Sequence, residues 1–449
     1  MMNFKSLRYL LLLFPFLSLA QESEKSTAKG KLSGQWRSYY MNTFNKGDLM
    51  DFTALATGGH IKYELTLKEK LTFGGAVYNS NNLNIQDLRI PDKATGKLSR
   101  YEEGLFDRIH LDNKYIFILG ELYANYKTAH HEFTLGRMKI KSPLVNPQDG
   151  RMIPTLAQGL LYAYNSPKNN KIQAGVFNQI APRSTGEFYS IGESIGTYGT
   201  GRNNEGTESL YGGNTQSDYL AILNADLKLS ENTSVEVWNY YTDNVSNTLY
   251  LKPKYQVSKS FNIEAEWLHQ NRINNGGNAI DSLSYFQSNS SDNFGIKAAY
   301  DWSNSSLSLS YNRITKKGQF VFPREWGREF LFSFQKRERS EGTGDNHALV
   351  LYYTNTLVFG KEKFNLKTIF SAGHQWKPSV LDPVLNKYAV PDYTHINLDL
   401  FLDIKKWKNF KPELLLVSKI ASGDFPDNPN FYLNKTDLFH VDLILNYNF

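Results

Sequence analysis

The last eleven residues of the chain alternate between two kinds of side chain. Phe439, Val441, Leu443, Leu445, Tyr447 and Phe449 form one series; His440, Asp442, Ile444, Asn446 and Asn448 form the other. Successive side chains of a strand point to opposite faces, so such a run offers an apolar face and a largely polar one. The pattern recurs upstream. Tyr219, Ala221, Leu223, Ala225 and Leu227 oppose Asn224, Asp226 and Lys228, while Phe294, Ile296, Ala298, Tyr300 and Trp302 oppose Asn293, Lys297 and Asp301. Thr394, Ile396, Leu398, Leu400, Leu402 and Ile404 likewise oppose His395, Asn397, Asp399 and Asp403. About 18 segments of this kind occur, each near the ~10 residues that a tilted strand needs to cross a bilayer. One face is suited to hydrocarbon and the other to a wet interior.

The connections sharpen this reading. Short polar turns at 68–70, 166–170, 230–232, 303–304, 360–363 and 406–409 follow every second segment. Long irregular stretches follow the others, at 82–113, 141–154, 182–217, 272–291, 317–344, 376–391 and 422–436. Turns short on one side and long on the other predict an all-β, transmembrane, antiparallel up-and-down β-barrel with short periplasmic turns and long extracellular loops. Closure satisfies every backbone N–H and C=O inside lipid, where an open sheet could not. Two arginines disturb the alternation. Arg137 follows outward Phe133 and Leu135, and a bulge at Gly136 is expected to turn it inward and leave Met138 and Ile140 facing out. Arg313 follows Leu307, Leu309 and Tyr311, which places it above the bilayer.

The N-terminus reads as an export signal. Lys5 and Arg8 precede an apolar run from Tyr9 to Leu19, and Ala20 ends it before Gln21. That run is too short to span a membrane as a helix, so residues 1–20 are expected to be a signal peptide, residues 21–30 a short N-terminal segment and residues 31–449 the barrel. Removing residues 1–20 of 449 leaves 429 and takes the formal charge from +6 to +4. An excess this small gives no reason to expect nucleic acid. The chain has no cysteine, which excludes disulfides and thiolate metal sites. Aromatic residues make up 14% of a chain of mean hydropathy −0.47, a combination that suits aromatic belts on a barrel whose alternate residues are polar. The expected location is the outer membrane of a Gram-negative bacterium. Outer-membrane lipid is then one partner, and the terminal Phe449 is expected to address the barrel-insertion machinery.

A barrel of this size is too wide for its own side chains to fill, so its loops decide whether a channel exists. Two stretches carry chemistry. Residues 322–345, FPREWGREFLFSFQKRERSEGTGD, place Arg324, Arg328, Arg337 and Arg339 among Glu325, Glu329, Glu338, Glu341 and Asp345. Residues 136–154 hold Arg137, Asp149 and Arg151 between prolines at 143, 147 and 154, which make the segment stiff. A stiff loop folded into the bore would hold its charges in place; the same composition would also serve an external hairpin tip.

These two stretches resemble the OprD family of outer-membrane porins. The resemblance lies in Gly136-Arg137, Lys141-Ser142-Pro143-Leu144 and Asp149-Gly150-Arg151-Met152-Ile153-Pro154. It is closer in Pro323-Arg324-Glu325-Trp326-Gly327-Arg328-Glu329, followed by Arg337-Glu338-Arg339 and Glu341-Gly342-Thr343-Gly344-Asp345. Phe330 and Lys336 stand where the family pattern has proline. The resemblance implies a passive channel of about 18 strands whose narrow eyelet and row of basic side chains guide small carboxylate-bearing solutes such as amino acids and organic acids. The pathway residues it suggests are Arg137, Arg151, Arg324, Arg328, Arg337 and Arg339, with Asp149 and Asp345 as counter-charges.

Other classes fit less well. The nine histidines are scattered, His130-His131 lacks metal-ligand spacing, and neither Gly-x-Ser-x-Gly nor His-Glu-x-x-His occurs. No enzyme, metal or cofactor is therefore expected. A receptor with a plug domain would need more than the few residues between Gln21 and the first strand. An oligosaccharide-type or general diffusion porin, and a sealed scaffold or adhesin barrel, stay open at this stage. The wall sequence fits a homotrimer or a monomer alike.

Overall fold

The computed structural model describes residues 28–147, 151–198 and 201–449. The proposed signal peptide and Asp149 lie outside these residues. The strands are β1 (Ala28–Phe44), β2 (Phe52–Leu67), β3 (Leu71–Asn82), β4 (Tyr115–Lys127), β5 (His131–Met138) and β6 (Leu156–Asn165). They continue as β7 (Lys171–Ala181), β8 (Tyr189–Ser190), β9 (Leu220–Lys228), β10 (Thr233–Thr242), β11 (Ser246–Gln256) and β12 (Phe261–Arg272). The last are β13 (Ser290–Trp302), β14 (Ser305–Ile314), β15 (Asn346–Phe359), β16 (Phe364–Trp376), β17 (Asp392–Ile404), β18 (Phe410–Ser422) and β19 (Leu438–Asn448).

Eighteen of these form one closed antiparallel ring. Neighbours in sequence pair throughout, β7 pairs directly with β9, and β1 pairs with β19 to seal the cylinder. The two-residue β8 stands apart from the ring and extends β7 in a loop, with Gln179 opposite Ser190. The seam is closed at the last residue: Phe449 N–H donates to the Gly34 carbonyl at 3.0 Å, and Gly34 N–H donates back at 2.8 Å. The Phe449 ring lies where a Gly34 Cβ would sit, 2.4 Å away, so a larger residue at 34 would displace it.

The alternation sorts as the sequence dictates. Phe439, Leu443, Leu445 and Tyr447 of β19 are exposed on the outer wall, while His440, Asp442, Ile444 and Asn446 are buried toward the lumen. The short turns gather at one rim with both described chain ends. At Lys68-Glu69, φ values of 47° and 58° give the turn twist that matches two paired strands. The opposite rim is not uniformly long. β1–β2 connect through residues 45–51 and β10–β11 through 243–245.

The expected bulge at Gly136 is absent. Tyr123 faces Gly136, Leu122 faces Arg137, and Arg137 faces Gln158 in unbroken register. The irregularities fall instead between Ala76 and Val77 against β4, and between Gln158 and Gly159 against β7. Met138 and Ile140 are correspondingly not lipid-facing. Both are buried, in a cluster with Leu144, Val145, Phe177 and Trp326. Gly136 is needed for a different reason: its φ is +121°, and a Cβ there would lie 2.2 Å from the Leu122 carbonyl oxygen. Arg313, at the end of β14, is held by an ion pair with Asp345.

The lumen is filled by loops, and the connection between β14 and β15 does most of the filling. It enters against β12, where Gln270 exchanges hydrogen bonds with the N–H and carbonyl of Val321. Phe332 N–H donates to Glu266 at 2.9 Å and Ser333 N–H to Asn312 at 2.8 Å. Gln335 donates to Ser371, and Lys336 lies 2.9 Å from Asp399 and 2.8 Å from Glu413. Arg337 then reaches β19 and β1 through His440, Asp442 and Tyr39. One segment thus meets the inner wall from β12 round to β1, each contact made by an inward-facing side chain of the next strands.

Candidate functional site

Trp326 fixes the near side of the site. It is fully buried, its indole N–H donates to Ser194 Oγ at 2.8 Å, and its ring meets Phe322 edge-on at 5.8 Å. Ser194 lies in α1 (Ile191–Ser194), a single turn that Ser190 and Glu193 cap reciprocally. The Trp326 carbonyl accepts from Asn146 N–H, and the Asn146 side chain bonds both the N–H and the carbonyl of Arg328. Thr155 Oγ1 donates to the Glu325 carbonyl at 3.1 Å. The two stretches singled out in the sequence, 322–345 and 136–154, are therefore hydrogen-bonded to each other inside the barrel.

Between them lies a narrow cavity of about 60 Å³, lined by eight arginines, two tyrosines and one carboxylate, Glu338. Arg324, Arg328, Arg337 and Arg339 come from the crossing segment and Arg151 from the other stretch, five of the six arginines expected. Arg100, Arg108 and Arg183 complete it from the 83–114 and 182–219 connections. Sequence reasoning missed these three, since lone arginines in loops carry no periodicity. Pro182-Arg183 beside a strand end offered the same signal as the segment holding Arg151.

Aromatic faces and carboxylates hold the guanidiniums. Arg324 lies 4.0 Å over the Tyr388 ring and 3.3 Å from Glu341. Burial would lower its pKa, but Tyr388 and Glu341 outweigh that and keep it above the usual arginine value. Arg328 stacks over Phe334 and Arg108 over Tyr198, the latter at 3.9 Å, with Glu103 paired to Arg108. Arg339 bonds Glu329 and the carbonyls of Gly327 and Arg324. The Arg151 guanidinium fills the space that a Cβ at Gly104 would take, 2.1 Å away, so Gly104 makes room for it. Planar, permanently charged and stacked, such side chains offer fixed edge donors suited to carboxylate oxygens.

Glu338 is the single acid in the lining. Burial pushes its carboxyl up, but Lys419 at 3.1 Å and Lys377 at 3.7 Å overrule this and hold it at about 2. Two expected residues lie elsewhere. Arg137 is half-buried away from the cavity, over the Phe188 ring at 4.3 Å and bonded to Gln158 and the Leu119 carbonyl. Asp345 is the ion-pair partner of Arg313, which separates it from the cavity lining. Among the described residues no group of His, Asp or Glu is arranged to hold a metal ion.

Residues 117–389 match the family described as outer membrane porin, OprD family. No curated protein sequence matches the chain. Among solved structures it is similar to Pseudomonas aeruginosa OccK8 (OprE), at TM-score 0.65 and 16% identity over 94% of this chain and 98% of that one. Pseudomonas aeruginosa OccD3 (OpdP) gives 0.66 and 13%, over 96% and 95%. Pseudomonas aeruginosa OpdK with vanillate gives 0.66 and 13%, over 94% and 98%.

Proposed function

Since this chain belongs to the OprD family of outer membrane porins, an integral outer-membrane channel for small solutes in Gram-negative bacteria, we propose that its solutes are carboxylate-bearing, such as amino acids and organic acids. They pass by passive diffusion through the arginine-lined cavity, which is the eyelet. One observation carries this reading: eight guanidiniums line the cavity with a single lining carboxylate. Acids outside the lining pair with four of these arginines, Glu103 with Arg108, Glu341 with Arg324, Asp442 with Arg337 and Glu329 with Arg339, and elsewhere on the inner wall lysines are matched by acids in the same way. Lys62 pairs with Glu64 and Glu121, Lys252 with Glu236, Lys297 with Glu264, and Lys411 with Asp403. Rings of arginine attract anions and reject cations, so selection would be concentrated at one level of the bore. The similar OpdK was solved with vanillate, which supports a small organic anion here as well.

The pathway residues are then Arg151, Arg324, Arg328, Arg337 and Arg339, joined by Arg100, Arg108 and Arg183, with Glu338 as the opposing charge. Residues 1–20 serve as the export signal, and Phe449 as the contact for barrel insertion. The test is a planar bilayer holding the purified protein across a salt gradient, with a liposome-swelling screen of small carboxylates, neutral sugars and amino acids. Discrete conductance steps with a reversal potential favouring anions are expected, and faster swelling in carboxylates than in sugars of equal size. Silence from a folded barrel would make it a sealed scaffold.

A further inference from the structure

Lys387 shares an aromatic ring with an arginine of the eyelet. Its ammonium stands 4.3 Å from the ring centre of Tyr211, 5.0 Å from Tyr285 and 5.9 Å from Tyr388. These rings come from three connections, before β9, between β12 and β13, and between β16 and β17. Arg324, which lines the eyelet, lies 4.0 Å over the same Tyr388 ring. The backbone fixes the arrangement. Lys387 N–H donates to the Gly342 carbonyl of the crossing segment at 2.8 Å, and its own carbonyl accepts from Arg202 N–H at 2.9 Å. Lys387 is 3% exposed, and no carboxylate among the described residues is bonded to it. Lys62, Lys252, Lys297 and Lys411 of the inner wall each have such a partner.

Resting on the carboxylate reading above, we propose that Lys387 is a further selectivity-determining residue of the channel, adding a removable charge to the permanent ones of the arginines. Aromatic faces favour an ammonium without cancelling its charge, as a bonded carboxylate would. Glu341 is shared between the two cations: it pairs with Arg324, accepts from the Tyr388 hydroxyl at 3.2 Å and also attracts Lys387. With Lys387 charged, that acid answers two cations. With Lys387 neutral it answers Arg324 alone, and the net positive charge at the eyelet falls. Burial pulls the Lys387 pKa down, Glu341 and Glu325 offset only part of this, and Arg324 adds to it, which leaves the ammonium at about 8 where 10.5 is ordinary. The three tyrosines of the cage are pushed well above their ordinary value, and the guanidiniums keep their protons. Arg202, which lines a small void with Tyr211, Tyr285 and Lys387, completes the charged surroundings.

Reversal potentials of the wild-type channel in a KCl gradient, taken in a planar bilayer on either side of pH 8, test this. From about pH 6 to about pH 10 the anion-over-cation permeability ratio should fall about twofold, the effect of one charge on the order of 10 Å from the path. Lys387→Met should show the lower ratio already in the acid buffer and keep it in the alkaline one. Lys387→Arg, with a permanent charge, should hold the higher ratio in both. A wild-type ratio that does not move with pH overturns the inference and leaves the carboxylate channel standing. So does a fall in Lys387→Met as large as the wild type's, with folding verified by heat-modifiable migration. A wild type that prefers cations in the acid buffer overturns both.

Discussion

Lys419 donates to the carbonyl of Arg337 at 2.6 Å, and this clamps the crossing segment where its backbone is least comfortable. Arg337 has φ of +69°, a left-handed conformation that L side chains avoid. The surroundings over-determine it, since its guanidinium also bonds Tyr39, His440 and Asp442 on the wall. A strained residue held from both its ends keeps the segment, and every arginine on it, in one place.

Arg337→Ala should therefore act first on stability. It leaves Asp442 buried with its strongest partner gone, and losing one member of a buried pair costs about 3–5 kcal/mol. The measurement is the temperature at which the folded band is lost on unheated gels. A variant as heat-resistant as the wild type would show that the pair contributes nothing.

Arg324→Ala and Arg151→Ala should lower the anion-over-cation permeability ratio. Removing a charge a few ångströms from the path is worth on the order of 1 kcal/mol, about fivefold. Arg313→Ala provides the contrast, because Arg313 pairs with Asp345 away from the eyelet. Reversal potentials in a salt gradient separate them. An equal shift in all three would remove the reason for placing selection at the cavity.

Acid should weaken the same region through Glu338. Its carboxyl is held at about 2 in the folded protein, below its ordinary value of 4.5. The stabilisation is thus complete above the ordinary value and is lost as pH falls from there toward 2. Melting followed between pH 6 and 2 should show this decline, and Glu338→Gln should flatten it. An unchanged slope in the variant would assign acid lability to other groups.

Trp326→Ala should loosen the lumen without opening the wall. A fully buried indole lost to a methyl costs about 3–5 kcal/mol. The crossing segment also loses its bond to Ser194. Single-channel recordings should show larger and noisier steps than the wild type. Identical steps would mean that Phe322 and Asn146 hold the segment alone.

The wall was legible because lipid and water impose opposite demands on alternate residues, so strand starts such as Phe52, Leu71, His131 and Thr233 are written in period two. The same logic misjudged Arg137. Its strand leaves the simple two-sided environment near Gly136, and Met138 and Ile140 are buried by loops instead of lipid. The crossing segment announced itself by charge density, which identified four of the eight lining arginines, and the proline-stiffened stretch at 136–154 supplied Arg151. Arg100, Arg108 and Arg183 were not legible, since what unites them is the meeting of loops far apart in sequence. Asp345 was misjudged for the converse reason. It adjoins the arginine-rich stretch in sequence, but in space it belongs to Arg313.

The mutual bonds between Gly34 and Phe449 carry a lesson about biogenesis. A cylinder zipped shut between β1 and β19 has no finished rim until both staves are in place. Any partly assembled sheet that lacks one of the two therefore exposes two raw edges of unpaired backbone groups, which lipid cannot satisfy.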